Sequence, residues 1–169
     1  VGNGSNSTAD TIKKTQLFDE LAIDGYLTVT PYYNKPTQKG MVAHFKAVAQ
    51  STAKPIILYN VPGRTGVDLS NESVIELMTV DNIVGIKDAT GDLSRVEVMK
   101  QADSQFRLFS GDDLTRCKYV SEGGDGVISV TANVEPKLMA QMLNHLQSDN
   151  VEEGNAIDGR LSRLHIDLF

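Results

Sequence analysis

The sequence has little of what announces several protein classes. It holds one cysteine among 169 residues, Cys117, so no internal disulfide is available. A reducing, cytoplasmic setting is expected from that. It has no excess of basic residues: 22 Asp and Glu stand against 16 Lys and Arg, a net charge of −6. No basic stripe is present to replace phosphate counterions, which argues against a nucleic-acid partner. Apolar runs stay far short of the ~20 residues that cross a bilayer, so no membrane partner is expected. The opening Val1-Gly2-Asn3-Gly4-Ser5-Asn6 has neither the basic nor the apolar stretch of a signal peptide. No initiator Met opens the chain, so a start further upstream is expected. His44, His145 and His165 fall on helical patterns without ligand spacing, and no metal site is predicted.

What is present is ordinary for a globular chain, with 40% apolar and 22% charged residues. Short apolar runs predict strands over 26–30, 56–61, 83–87, 106–110 and 127–131. Ile56-Ile57-Leu58 and Ile83-Val84-Gly85-Ile86 are apolar on both faces, as in parallel strands buried on two sides. Between them run amphipathic stretches. Met41, Val42, Phe45, Val48 and Ala49 form one stripe, and Leu138, Met139, Met142, Leu143 and Leu146 form another. Ser70 is a candidate N-cap, and Thr8 or Ser7 opens a helix expected to run to Ala22. Strand starts at 26, 56, 83, 106 and 127 are spaced as βα units, in which a helix returns the chain to begin the next parallel strand. Val1 to Gly4 reads as the tail of a sixth strand. The class is α/β, undivided by any linker.

Three segments carry candidate chemistry. Lys87 closes Ile83-Val84-Gly85-Ile86-Lys87, and simple alternation puts Ile83, Gly85 and Lys87 on one face, the glycine leaving room beside the lysine. A lysine buried there has its pKa lowered and serves as an amine nucleophile towards a carbonyl. The plain alternative is a strand that ends at Asp88, with Lys87 reaching solvent to pair with Asp88 or Asp92. Tyr59-Asn60-Val61-Pro62-Gly63-Arg64-Thr65-Gly66 also closes a strand. It offers an inward phenol for proton transfer and a loop arginine for a carboxylate, or else a core tyrosine and a surface turn. Thr28-Val29-Thr30-Pro31-Tyr32-Tyr33-Asn34 puts two tyrosines on a rigid loop suited to an interface. Lesser signals are set aside. Gly2-Asn3-Gly4 lacks the third glycine of a dinucleotide fingerprint. Asp112 and Asp113 read as caps. Cys117 reads as a small buried apolar residue.

Taken together these segments resemble the dihydrodipicolinate synthase family of class I aldolases. Ile83-Val84-Gly85-Ile86-Lys87-Asp88-Ala89-Thr90-Gly91-Asp92, Ser110-Gly111-Asp112-Asp113 and Gly126-Val127-Ile128-Ser129-Val130-Thr131-Ala132-Asn133 extend the match in order. The resemblance implies a (β/α)₈ TIM barrel with its active site at the C-terminal strand ends. About six of eight βα units are present, in an incomplete barrel over 1–134 with a helical region over 135–169. It implies that Lys87 forms a Schiff base with pyruvate, and that the enamine condenses with L-aspartate 4-semialdehyde on the way to diaminopimelate and lysine. Tyr59 corresponds to a proton-relay tyrosine, and Tyr33 to one that reaches across a dimer interface. Arg64, Ile128 and Gly111 correspond to substrate-binding positions. Asn6, Asp10 and Tyr32 match a lysine-effector site, Asp10 being one methylene shorter than the usual glutamate. No metal or organic cofactor is implied, and a homo-oligomer, dimer or tetramer, is.

Two further readings stand beside this one. N-acetylneuraminate lyases and sugar-acid aldolases share the Schiff-base lysine but usually lack the arginine at the position of Arg64. The other reading takes the chain as a truncated, noncatalytic assembly module. The family's first two strands, with a threonine pair that binds pyruvate and links the tyrosines, have no counterpart here, and 169 residues fall short of the about 250 of a whole barrel.

Overall fold

Parallel strands joined by helices form where the spacing places them. In a computed structural model, residues 1–168 are described. Helix α1 (Thr8–Asp19) leads to strand β1 (Tyr26–Val29), then α2 (Gln38–Ala49), β2 (Ile56–Asn60), the single turn α3 (Pro62–Thr65) and α4 (Asn71–Met78). Strand β3 (Ile83–Asp88) follows, then α5 (Ser94–Ala102), β4 (Arg107–Ser110), α6 (Arg116–Ser121), β5 (Gly126–Val127), a 3-10 turn (Thr131–Asn133), α7 (Pro136–Gln147) and α8 (Val151–Asp167). The sheet runs β1-β2-β3-β4-β5 with every pair parallel. It is an open arc of a barrel.

Side-chain caps set three helix starts. Ser7, Thr37 and Ser70 each accept from the backbone N–H three residues on, opening α1, α2 and α4. Helix α1 stops at Asp19, short of the expected Ala22. There the Tyr26 hydroxyl binds the Thr15 carbonyl (2.9 Å) and the Asp19 carboxylate (2.6 Å), tying the last turn to β1.

One face of the sheet is dry. Ile56, Leu58, Ile86 and Leu108 are fully buried against Met41, Phe45 and Val48 of α2, Val74 and Leu77 of α4, and Val96 and Met99 of α5. The apolar stripe of α2 is buried throughout, as its periodicity predicts. A second cluster joins Cys117 and Val120 of α6 to Met139, Met142 and Leu146 of α7 and Ile157 and Leu161 of α8. The region expected over 135–169, whose last residue lies outside the described residues, therefore shares a core with α6.

Three sequence expectations are corrected. The fifth strand ends at Val127 rather than Thr131, because the Asp113 carboxylate captures the N–H groups of Val130 (3.0 Å) and Thr131 (2.9 Å) and starts the 3-10 turn. Val1 to Gly4 contributes one bridge, Gly2 to Leu27, rather than a strand. Alternation through β3 also fails, since Ile56 pairs with Ile83 but Ile57 pairs with Gly85. Val84 is the extra residue of a bulge, and Ile83 joins the helix-covered face instead of sharing a face with Lys87.

Candidate active site

The concave face carries the candidate chemistry. Tyr59 and Lys87 are register partners at the C-terminal ends of β2 and β3, so both side chains leave the sheet on this face. Lys87 is 9% exposed, and its Nζ stands 4.2 Å from the centre of the Tyr59 ring. That geometry is a cation–π contact, favourable to an ammonium with little water around it. Burial lowers the Lys87 pKa below the usual lysine value, and the negative charge of Asp113 opposes the shift. The solvent-reaching alternative does not hold: Asp88 turns to the other face and pairs with Arg95, Nε to Oδ2 2.6 Å.

Gly111, just after β4, supplies the room the lysine occupies. A Cβ there would sit 2.7 Å from Lys87 Cε and 3.0 Å from Ala89 Cβ. Gly85, the glycine singled out beside the lysine, does something else, since its Cβ would sit 2.6 Å from the Arg107 carbonyl oxygen. It permits the close approach of β3 to β4.

Arg64 reaches the site from α3. Pro62 opens this turn and Gly66, at φ 74°, closes it in the left-handed region where a side chain is strained. The Thr65 hydroxyl donates to the carbonyls of Val61 (3.1 Å) and Val67 (2.9 Å), fixing the turn from within. Asn60 holds the following segment, donating to Asp68 (2.7 Å) and accepting from the Leu69 N–H (3.0 Å). Burial pushes the Tyr59 phenol above its ordinary pKa, and the Arg64 guanidinium pulls it back. Lys87, Tyr59, Arg64 and Gly111 line one cavity of about 490 Å³, with Asp112 and Val130. A neighbouring hollow of about 430 Å³ is lined by Tyr59, Arg64, Tyr32, Leu27 and Val29.

Other predicted residues lie apart. Ile128 faces a lower apolar hollow with Leu27, Ile57 and Val84, away from the lining of the lysine's cavity. Tyr33 is 85% exposed, at φ 72°, its N–H donating to the Thr65 carbonyl (3.1 Å). Asn6 exchanges contacts with Asn34 (3.3 and 2.9 Å). Asp10 sits in the first turn of α1 beside Lys13 and Lys14, and Tyr32 faces the Arg64 hollow. Neither Asp112 nor Asp113 is the N-cap of α6, which is Thr115, so the cap reading is corrected: Asp113 bonds the distant Val130 and Thr131 N–H groups, and Asp112 holds the turn before the helix. Asp112 accepts from the Thr115 N–H (3.0 Å) and hydroxyl (2.6 Å). The charge of Asp113 acting on Lys87 was not visible in sequence; its place just past a strand end was the available signal. Cys117 is buried with its Sγ 3.6 Å from the Met142 sulfur, and burial pushes its thiol up to about 12. No cluster of three or more His, Cys, Asp or Glu able to hold a metal occurs among the described residues, nor a helix long and apolar enough to cross a membrane.

A parallel α/β arc with a buried lysine at the C-terminal strand ends is the architecture of part of a (β/α)₈ barrel. Sequence and structure comparisons narrow this. Residues 1–169 match the model of the dihydrodipicolinate synthetase family, and the chain belongs to that family. It is 51% identical over 170 residues to the 4-hydroxy-tetrahydrodipicolinate synthase of Pseudoalteromonas atlantica, covering 100% of this chain and 58% of that protein. The synthase of Saccharophagus degradans is 49% identical with the same coverage. The crystal structure of dihydrodipicolinate synthase from Thermotoga maritima superposes with a TM-score of 0.96 at 41% identity, over 100% of this chain and 59% of that one. A chloride-inhibited Acinetobacter baumannii synthase complexed with pyruvate gives 0.95 at 44%, over 99% and 58%. The chain thus spans under three-fifths of the length of these relatives.

Proposed function

We propose that the protein carrying this chain is a 4-hydroxy-tetrahydrodipicolinate synthase, a lyase of the class I aldolase type acting in lysine and diaminopimelate biosynthesis in the cytoplasm. The observation that carries the reading is Lys87, buried with its ammonium over the Tyr59 ring in a cavity shared with Arg64. The neutral amine of Lys87 adds to the keto carbon of pyruvate, and loss of water leaves a protonated imine. Its positive charge draws electrons from the neighbouring methyl group, which releases a proton to give an enamine. The enamine carbon bonds to the aldehyde carbon of L-aspartate 4-semialdehyde, whose oxygen takes a proton delivered through the Tyr59 hydroxyl. The substrate's own amine then adds to the imine carbon, closes the ring and expels Lys87 as the amine.

Arg64 suits the carboxylate of the incoming aldehyde, and this favours the synthase over sugar-acid aldolases and N-acetylneuraminate lyases. Gly111 completes the substrate surface in this reading, while Ile128, which the resemblance also assigns to substrate, lines the separate lower hollow. Asn6, Asp10 and Tyr32 form a lysine-effector site in this reading. Tyr33 reaches a partner subunit's site in a dimer or tetramer, and its exposed side chain supports that role. The experiment is borohydride reduction in the presence of pyruvate followed by peptide mass mapping. A pyruvyl adduct on Lys87 is expected; folded protein that yields none overturns the reading and favours a noncatalytic assembly module.

A further inference from the structure

Among the described residues, Asp113 is the one buried carboxylate whose charge acts on Lys87. It is 1% exposed. Its Oδ2 accepts from the N–H groups of Val130 (3.0 Å) and Thr131 (2.9 Å), and Val130 lines the lysine's cavity. Its backbone is held as firmly. The Asp113 carbonyl accepts from Nη1 of Arg116, a fully buried residue whose Nη2 meets the Asp158 carboxylate and His165 Nε2. His165 Nδ1 lies 2.6 Å from the Thr131 hydroxyl. Asp113, Arg116, His165 and Thr131 thereby close a ring that ties α6 and α8 to the cavity wall.

We propose that Asp113 is a positioning residue for Lys87: its carboxylate anchors the Val130–Thr131 wall and presents a buried negative charge to the ammonium and to the cationic imine that replaces it. This rests on the imine reading above and adds a residue to it. Capping alone does not account for an acid here. An asparagine would offer the same acceptor oxygen without the larger desolvation cost of a buried carboxylate. Asp113 nevertheless stays anionic. Burial works to raise its pKa, but the polar groups of Ser129, the Thr131 N–H and the charge of Arg116 hold it below the usual carboxylate range, its Oδ1 having no partner among the described residues.

The other ionisable groups around Lys87 do not replace it. Tyr59 is a phenol made harder to ionise by burial, Arg64 is a cation, and Asp112, though it lines the cavity, is not among the charges that shift Lys87. A fixed anion behind the cavity wall that Val130 forms is electrostatic preorganisation, placed before the reaction rather than recruited during it.

The test follows pyruvyl-adduct formation on Lys87 against pH, in the protein expressed with its whole encoded sequence. Asp113→Asn keeps an acceptor oxygen for Val130 and Thr131 but removes the charge. Its acid limb is expected to move to lower pH by roughly half to one unit, the scale of a nearby but unpaired charge. An acid limb unchanged from the parent overturns the proposal. Parent protein with no adduct at any pH overturns the imine reading, and the charge role with it. The anchoring role is read separately, without a variant, from deuterium exchange of the Val130 and Thr131 amides. Slow exchange at these two irregular positions is expected, and fast exchange overturns the anchor even where Asp113→Asn fails to fold.

Discussion

Lys87 and Asp88 are neighbours on one strand, face opposite sides of the sheet, and meet burial in opposite ways. Asp88 lies on the helix-covered face and is 4% exposed. It is fully engaged, taking Arg95 Nε at 2.6 Å and the Thr90 N–H at 3.0 Å, while Arg95 Nη2 donates to the Leu69 carbonyl at 2.7 Å. Lys87 lies on the concave face with no carboxylate in ion-pair contact among the described residues, only a tyrosine ring. Burial raises the pKa of Asp88 and lowers that of Lys87, in each case against the charged form. The pair on the helix side is architecture. In the proposed reading the under-compensated lysine, opposed only by the non-contacting charge of Asp113, is the group that can lose its proton and attack.

Removing one partner on each face should separate these roles. Arg95→Ala strands Asp88 as a buried unpaired carboxylate, and a loss of about 3–5 kcal/mol in unfolding free energy is expected from urea titration. Lys87→Met fills a similar volume without a charge to desolvate, so stability should be unchanged or rise by about 1 kcal/mol. The same change should abolish pyruvyl labelling. If Lys87→Met destabilises as much as Arg95→Ala, the contrast between the two faces is wrong.

A smaller effect sharpens the contrast along β2. Leu58 is wholly buried under the helices, and Leu58→Ala should cost about 2–5 kcal/mol through lost transfer energy and a residual cavity. Ile57, one residue earlier, lines the lower hollow and is only partly buried. Ile57→Ala should cost about 1 kcal/mol, because much of its surface already meets water. Paired chemical-denaturation midpoints measure the difference, and equal costs would show the concave face to be as tightly packed as the other.

The helix-covered face was the more legible of the two in sequence. Alternation within β2 and the α2 stripe follow from local periodicity, and Ser70 is an N-cap because a hydroxyl at that position satisfies a free N–H. Lys87 and Tyr59 were placed together by their strand-end positions, which parallel topology turns into adjacency. The misses arise where one part of the chain acts on another distant in sequence. The bulge at Val84 exists only in the pairing of β3 with β2. The shortened fifth strand follows from a carboxylate 17 residues upstream. Gly111 rather than Gly85 makes room for the lysine, since the contact crosses between strand ends. The ring from Arg116 to His165 spans 49 residues and leaves no local pattern.

The helix side also holds an ionisable group that escapes burial's penalty by staying neutral, and its expected effect appears only as pH falls. His44 on α2 is buried, its Nδ1 2.9 Å from the Thr8 hydroxyl and its Nε2 without a partner. Burial lowers its pKa from 6.5 to about 4. The unfolded chain therefore binds a proton in the window between these values while the folded chain does not, so stability rises with pH there. The contribution is complete above about pH 6.5 and is lost as pH falls through about 4, amounting to at most about 3 kcal/mol at 1.36 kcal/mol per unit. Carboxylates held below their ordinary values, such as Asp113 and Asp125, contribute to acid sensitivity at lower pH. Urea midpoints measured between pH 7 and pH 4.5 should fall in the parent protein and fall less steeply in His44→Leu, with part of the slope kept by buried His165, whose pKa burial also lowers. A slope in His44→Leu as steep as the parent's would mean that His44 does not carry acid sensitivity in this window.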